Sequence, residues 1–223
     1  MTSEGRLMQR SCPGSSHHLG RAALSLAGLG ALTLDVAVAG PVTRGEMSLV
    51  RRPGTARTAA WTRVSAIGDL PALLVLTAGA TLAAARGQGP WWRPTATVIA
   101  GVAARSALCR KLARGRPPQE WWQLQPSGSS FPSRHTTWAA LGIGAVDSSL
   151  SGGLKAAMAP VAAATVVGVG ISRVRLGVHW PTDVVAGLLL AAACQDLLAY
   201  VTQRVRPERS VIVGRSCGRV QHA

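Results

Sequence analysis

The sequence predicts an all-α protein, a polytopic membrane bundle of about six transmembrane helices. Two observations favour this fold class. First, 48% of the 223 residues are hydrophobic, and they gather in long blocks rich in alanine, leucine, valine and glycine, with the charged residues between them. Second, the seven tryptophans mostly lie near the ends of these blocks, where the membrane–water interface favours them. They are Trp61, Trp91, Trp92, Trp121, Trp122, Trp138 and Trp180.

The apolar blocks approach the ~20 residues that a helix needs to cross a bilayer. In chain order they are 22–42, 67–86, 94–112, 136–150, 155–172 and 181–202. The first block has a rival interpretation as a signal peptide, because Ala37-Val38-Ala39 resembles a cleavage site. Its length and its distance from the N-terminus favour a helix that stays in the membrane. A soluble helical core is the alternative for any single block, and the number of blocks counts against it.

The apolar blocks also divide the chain. We predict a disordered polar tail at 1–20, a membrane-embedded domain at 21–203 and a basic tail at 204–223. Within the domain, residues 43–66 mix arginines with apolar residues, which is typical of an interfacial or short amphipathic stretch.

The chain is strongly basic, with 24 basic residues, 9 acidic residues and a formal net charge of +15. No helix–turn–helix pattern or zinc-finger spacing accompanies this charge, so nucleic acid is not a predicted partner. Beside apolar blocks, the expected partners are the bilayer, its anionic headgroups and phosphate groups. The four cysteines have no C-x-x-C or zinc spacing. We therefore assign no disulfide and expect Cys109 and Cys194 to pack as small hydrophobic residues.

Three polar segments stand at the ends of apolar blocks. Residues 111–118 follow the third block, residues 131–138 open the fourth, and residues 172–183 join the fifth to the sixth. The first two segments share one loop and therefore one face of the membrane. Two crossings then return the chain to that face before the third segment. The three segments can therefore form one site.

The third segment reads S-R-x5-H-x3-D and carries the clearest chemistry. His179 and Asp183 are four residues apart, a spacing at which side chains meet near the start of a helix. We expect that helix to begin at Pro181, because proline favours the first helical position. Asp183 can accept a hydrogen bond from one imidazole N–H and leave the other nitrogen free to attack phosphorus. The alternative is that the Asp183 carboxylate only favours the helix start.

The other two segments supply groups that bind phosphate. Arg173, Arg116 and Lys111 can neutralise phosphate oxygens. The Ser133 hydroxyl and the N–H groups at the start of the fourth helix add hydrogen-bond donors. His135 can protonate the leaving oxygen as a general acid and later activate water.

The structural alternative for these arginines is a basic rim exposed to solvent or lipid. That alternative fits Arg114 and Arg175 better than Arg173. No acidic cluster that would hold a metal is evident, so we expect no metal and no cofactor.

Together the three segments resemble the type-2 phosphatidic acid phosphatase superfamily, whose pattern is K-x6-R-P, then P-S-G-H, then S-R-x5-H-x3-D. The third part is matched in full, and in the second part Arg134 replaces the glycine before His135. The first part departs, because Lys111 and Arg116 are five residues apart rather than seven. Either Lys111 or Arg110 would then take the lysine's role, and we favour Lys111.

The resemblance implies a six-helix membrane enzyme that removes phosphate from a lipid phosphate or a polyprenyl diphosphate through a phosphohistidine on His179, without a metal. It also implies a role for each matching residue. Lys111, Arg116, Ser133, Arg173 and the backbone N–H of Arg134 would bind the phosphate, His135 would be the acid and base, and Asp183 would be the partner of His179.

Other functions are compatible with the same pocket. A phosphotransferase or a vanadate-dependent oxidase would use it differently, although the apolar blocks count against an oxidase of this normally soluble type. A non-catalytic membrane protein with a decayed pocket is the third alternative, and the intact pair of histidines opposes it. With six crossings and basic tails inside a cell membrane, the site would face outward. The basic stretch 43–66 argues for the opposite orientation.

Overall fold

A computed structural model describes residues 13–50, 52–87 and 90–205. These residues form helices joined by turns, with no strand among them. The helices are α1 (Pro13–Ala37), α2 (Pro41–Leu49), α3 (Thr58–Ser65), α4 (Leu70–Arg86), α5 (Trp92–Leu112), α6 (Arg134–Asp147), α7 (Gly152–Arg175) and α8 (Pro181–Val205). Short 3-10 turns occupy Ala66–Gly68 and Gln119–Trp121. The prediction of an all-α membrane bundle is confirmed.

The long helices correspond to the six apolar blocks, in order α1, α4, α5, α6, α7 and α8. In the described part of the chain, α1, α7 and α8 are long and apolar enough to cross a membrane. The segment from α3 to α4 passes the same test as a pair bent by 42°. Helix α6 spans only 14 residues, and α5 carries three cations near its C-terminal end. The stretch 43–66 holds most of the short helix α2 and all of the short helix α3.

Helices α6 and α8 occupy the centre of the bundle. Helix α8 packs against α1, α5 and α6, and α6 also contacts α4 and α7. The cores are small clusters between them, such as Leu73, Val98, Leu141 and Ala191. At Gly187 of α8, a Cβ atom would lie 2.9 Å from Thr137 Oγ1 and 3.1 Å from the Ser133 carbonyl oxygen. The glycine thus lets the N-terminal turns of α6 and α8 approach closely.

The outer helices present apolar side chains to their surroundings. Leu24 of α1 is 75% exposed, Val75 of α4 is 71% exposed and Ile99 of α5 is 63% exposed. Only 11% of the apolar membrane-spanning stretch of α7 is buried inside the bundle. Such a surface is stable in lipid tails, where exposure of leucine and valine costs nothing comparable to its cost in water.

The first helix begins earlier than the predicted boundary at residue 20. Helix α1 starts at Pro13, so 13–20 are helical rather than part of a disordered tail. Two contacts with α8 explain the difference, because His18 Nδ1 lies 2.8 Å and Arg21 Nε 3.2 Å from the Asp196 carboxylate. Asp196, buried inside the last apolar block, thereby gains partners. Residues 1–12 and 206–223, including most of the predicted basic tail, lie outside the described residues.

Candidate active site

The three polar segments converge on one cavity of about 220 Å³ at the ends of the helices. The residues that line it come from the α5–α6 loop, the first turn of α6, the last turn of α7, the α7–α8 loop and the α3–α4 junction. Its charged and titratable side chains are Asp69, Arg116, Arg134, His135, Arg173 and His179. The three segments therefore meet at one cavity, as the topology of the helices predicts.

His179 and Asp183 form the pair that their spacing predicts. Helix α8 begins at Pro181 as expected, and His179 Nδ1 lies 3.2 Å from Asp183 Oδ2. Both side chains are buried. The preceding turn requires Gly177, whose φ is +73° and whose Cβ would lie 2.1 Å from the Trp121 carbonyl oxygen. A side chain there would displace the loop that carries His179.

The Asp183 carboxylate has further donors, which hold it in place. Its Oδ2 accepts a hydrogen bond from the Trp180 backbone N–H at 2.8 Å and another from the Ser130 hydroxyl. Its Oδ1 accepts one from Arg114 Nη1 at 2.6 Å. A carboxylate with this many donors keeps its charge and its orientation.

The opposite ring nitrogen of His179 faces a cation. Arg116 Nη1 lies 3.2 Å from His179 Nε2, so Nε2 carries the lone pair and Nδ1–H donates to Asp183. Burial, aided by the charges of Arg116 and Arg173, lowers the pKa of His179 to about 4 against the opposing effect of Asp183. The imidazole is therefore neutral at pH 7, as a nucleophile must be.

Arg116 is held by its own loop and by the α7–α8 loop. Its guanidinium donates to the carbonyl oxygens of Val178 at 2.6 Å, Ser127 at 2.8 Å and Gly128 at 3.0 Å. These contacts fix a cation beside His179 without an acidic partner, so its charge stays available for phosphate.

Arg173 lines the cavity as the sequence predicts, whereas Ser133 is not among the residues that line it. Arg173 is 3% exposed, and its Nη1 donates to Ser65 Oγ at 2.6 Å, while its buried Nε has no hydrogen-bond partner among the described residues. Ser133 is fully buried, and its backbone N–H donates to the Asp183 carbonyl oxygen at 2.9 Å. That last bond ties the start of α6 to the start of α8.

Arg134 is the first residue of α6 and is not among the residues with positive φ. Arginine in place of the family's glycine therefore imposes no left-handed strain. Its guanidinium stands over the Trp138 ring at 5.2 Å from the ring centroid, and its Nη1 lies 3.4 Å from Ser127 Oγ. It adds a cation to the wall of the cavity.

His135 has a partner that the sequence did not reveal. Its Nε2 lies 2.8 Å from Asp69 Oδ1, and its Nδ1 is buried without a partner in the described structure. Asp69 directly precedes α4, so its sequence context indicated only a helix start. At Gly68, a Cβ would lie 2.5 Å from the His135 carbonyl oxygen. This close approach sets Asp69 against α6.

Lys111 does not join the site. Both Lys111 and Arg110 are exposed in the last turn of α5, and neither lines the cavity. Cys109 occupies the position seven residues before Arg116, and its Sγ lies 2.7 Å from Ser129 Oγ. Lys111 is two residues further, about 200° around the helix, which directs it away from the loop that Cys109 contacts.

Arg114 corrects a second expectation. The sequence favours an exposed rim for this residue, but its side chain is only 8% exposed. It donates to Asp183 and, at 2.7 Å, to Thr182 Oγ1. Arg175 is exposed, as expected.

Cys109 and Cys194 are half-buried free thiols, and Cys194 packs against apolar side chains as expected.

Comparison with known proteins assigns the family. Residues 91–208, more than half of the chain, match the family model described as the PAP2 superfamily. The chain belongs to the PAP2 superfamily. The matched region includes every residue of the three motifs, whereas Asp69 and all of α1 to α4 precede it.

Two curated relatives have names that state a substrate. Both are decaprenylphosphoryl-5-phosphoribose phosphatases, from two strains of Mycobacterium tuberculosis, and each is 31% identical over 171 residues. The aligned region covers 72% of this chain and 90% of each relative. The protein is therefore a PAP2-type membrane phosphatase.

A solved structure shares the fold. It is the crystal structure of a transmembrane PAP2-type phosphatidylglycerolphosphate phosphatase from Bacillus subtilis, with a TM-score of 0.66 and 24% identity. The match covers 82% of this chain and 98% of the other.

Within the described residues, no group of three or more histidine, cysteine, aspartate or glutamate side chains could hold a metal ion.

Proposed function

We propose that this PAP2 protein hydrolyses a phosphomonoester or diphosphate on a membrane lipid through a phosphohistidine on His179, without a metal. One observation carries the proposal. A buried, neutral imidazole carries its lone pair on Nε2, beside Arg116, at a cavity that Arg134 and Arg173 also line, while Asp183 holds its other nitrogen. This arrangement combines a nucleophile with fixed positive charge for the transferring phosphoryl group.

In the first step, His179 Nε2 attacks phosphorus. The N–P bond forms as the bond from phosphorus to the leaving oxygen breaks. Protonated His135 gives that oxygen its proton, so the lipid leaves as an alcohol or as a monophosphate. The imidazole becomes positively charged, and the Asp183 carboxylate stabilises it through Nδ1–H.

In the second step, water attacks the phosphohistidine. His135, now neutral, takes a proton from the water as the O–P bond forms and the N–P bond breaks. Inorganic phosphate is released, His179 returns to its neutral state and His135 is protonated again. Protons balance over the cycle. Burial and the charges of Arg173 and Arg134 lower the pKa of His135, so its protonated form needs negative charge nearby. Asp69, 2.8 Å from His135 Nε2, and the phosphate of the bound lipid supply that charge.

A polyprenyl-linked or phosphatidate-type lipid is the proposed substrate class. The cavity is polar and suits a phosphorylated headgroup, while the apolar outer faces of the helices suit a lipid tail. The curated relatives, named for a decaprenylphosphoryl phosphoribose, support this class. We further propose that the site lies at the outer face of the cell membrane.

The test is release of inorganic phosphate by the purified protein in mixed micelles. The panel contains phosphatidate, a polyprenyl diphosphate and a polyprenylphosphoryl pentose 5-phosphate, each with and without EDTA. We expect turnover of at least one lipid, unchanged by EDTA, and none with His179→Ala.

Three results would contradict the proposal. Failure to release phosphate from any lipid excludes the hydrolase function. Full activity of His179→Ala excludes the nucleophile. Loss of activity in EDTA, restored by a divalent cation, excludes the metal-independent mechanism.

A further inference from the structure

A buried ion pair lies directly behind the nucleophile pair, on the side away from the cavity. Glu46 of α2 is 7% exposed, and its carboxylate contacts the Arg114 guanidinium. Arg114 uses both of its terminal nitrogens, because Nη2 contacts Glu46 and Nη1 donates to Asp183 Oδ1 at 2.6 Å. One guanidinium thus bridges two buried carboxylates.

The same carboxylate also holds the start of α8. Thr182 donates its backbone N–H to Glu46 Oε2 at 3.0 Å, and its hydroxyl lies 2.8 Å from both Glu46 oxygens. Thr182 directly precedes Asp183 in the first turn of α8, where backbone N–H groups have no partner within the helix. Glu46 therefore fixes the turn that presents Asp183 to His179.

The charges of this network also favour the positively charged form of the His179 imidazole. Arg114 alone would draw the negative charge of Asp183 away from the imidazole, because a buried cation at hydrogen-bond distance stabilises that carboxylate strongly. The Glu46 carboxylate offsets the Arg114 charge. The network of one cation and two carboxylates then retains one net negative charge, which is directed at the imidazolium that forms during attack.

We infer that Glu46 and Arg114 are positioning residues for the reaction, acting on His179 through Thr182 and Asp183. This inference rests on the proposed function of His179. Neither residue lines the cavity, so neither contacts the substrate. Glu46 also lies outside the 91–208 segment that matches the family model. The short helix α2 thereby supplies a part of the site that the family motifs do not contain.

The test is steady-state phosphate release by the full-length protein with whichever lipid of the panel it turns over best. Glu46→Gln keeps the size of the side chain and removes its charge. We expect kcat to fall about tenfold, equivalent to about 1.4 kcal/mol in the barrier, while KM changes less than twofold. Arg114→Lys keeps the charge but cannot bridge both carboxylates, and we expect a similar loss.

The two losses should not multiply. Because the residues act as one pair, the double variant Glu46→Gln/Arg114→Lys should lose much less than the product of the two single losses. The matched control is Asp147→Asn, which removes the Lys155 partner at 3.0 Å far from the cavity. It should keep the wild-type kcat and KM.

A pH profile separates positioning from a merely structural role. The charged groups that face His179 are Asp183 of α8, Arg116 of the α5–α6 loop, Arg173 of α7 and His135 of α6. Removal of the Glu46 charge leaves Arg114 uncompensated behind Asp183. The acid limb of kcat/KM should therefore move to lower pH, which a loss of folded protein alone would not produce.

The outcomes are distinct. If wild type releases no phosphate from any lipid, the proposed function fails and this inference falls with it. If wild type is active and Glu46→Gln has the wild-type kcat and acid limb, the inference alone is overturned. If Glu46→Gln does not fold in detergent, Glu46→Asp is measured in its place, because the shorter side chain cannot reach both Thr182 and Arg114. Wild-type kcat in that variant also overturns the inference.

Discussion

The substitution Asp183→Asn tests the orientation of the nucleophile most directly. In the wild type, Asp183 accepts hydrogen bonds from His179 Nδ1–H at 3.2 Å, Trp180 N–H at 2.8 Å and Arg114 at 2.6 Å. Asparagine has only one acceptor oxygen, and its NH2 group must face either Arg114 or the His179 and Trp180 donors. If the NH2 group faces His179, the imidazole accepts there and its proton moves to Nε2. That tautomer has no lone pair on Nε2, the nitrogen proposed to attack phosphorus.

We expect this variant to lower kcat by roughly 10³–10⁴, the scale seen when an aspartate that orients a catalytic histidine becomes asparagine. At 1.36 kcal/mol per decade, that is about 4–5.5 kcal/mol of lost transition-state stabilisation. The lost charge opposite the imidazolium acts in the same direction as the wrong tautomer. The side chain keeps its volume, so the fold should be retained.

The assay is phosphate release under single-turnover conditions, where chemistry rather than product release is observed. Rapid quenching in alkali preserves an acid-labile phosphohistidine, so the rate of its formation can be followed separately. Asp147→Asn is the matched control at the opposite end of α6. Phosphohistidine formation by Asp183→Asn within tenfold of the wild-type rate would refute the orientation argument.

Three further predictions follow from the geometry. The neutral form of His179 attacks, and its pKa is about 4. The titration of His179 should therefore leave kcat/KM unchanged above about pH 5 and lower it about tenfold per pH unit below pH 4. An acid limb due to His179 near pH 6.5 would contradict this pKa. Asp69→Asn should lower kcat about tenfold by removing the carboxylate 2.8 Å from His135, and an unchanged kcat would remove Asp69 from the mechanism. Gly187→Val should destabilise the protein by about 1–3 kcal/mol, because even its Cβ would lie 2.9 Å from Thr137 Oγ1. A wild-type unfolding midpoint in detergent, compared with Gly79→Val at a position with open space around its Cβ, would contradict that packing.

The segment 172–183 was readable from sequence because its chemistry is local. A spacing of four residues at a helix start brings His179 to Asp183 regardless of the rest of the fold, and Pro181 marks where that helix begins. Arg116, His135 and Arg173 could be added by topology alone, since the even number of crossings between their segments returns them to one face. The helix content followed from apolar blocks of membrane-spanning length.

The errors came from contacts between distant segments. The family pattern favours Lys111 for the lysine's role, but the rotation of α5 directs Lys111 away from the cavity, and Cys109 occupies the position seven residues before Arg116. The sequence favours an exposed rim for Arg114, whereas the structure buries its side chain. Its partners, Glu46 and Asp183, are 68 and 69 residues away.

The sequence by itself determined that this is a membrane bundle with a histidine–aspartate pair and a clamp of arginines on one face. Those features depend on hydrophobicity and on spacings within a single helical turn, and both can be identified directly in the sequence. Only the tertiary structure decided which charges are buried and with what they pair. It placed Asp69 on His135 and Glu46 on Arg114, because the approach of α2 and of the α3–α4 junction to the ends of α6 and α8 depends on how helices pack, and no local pattern encodes it.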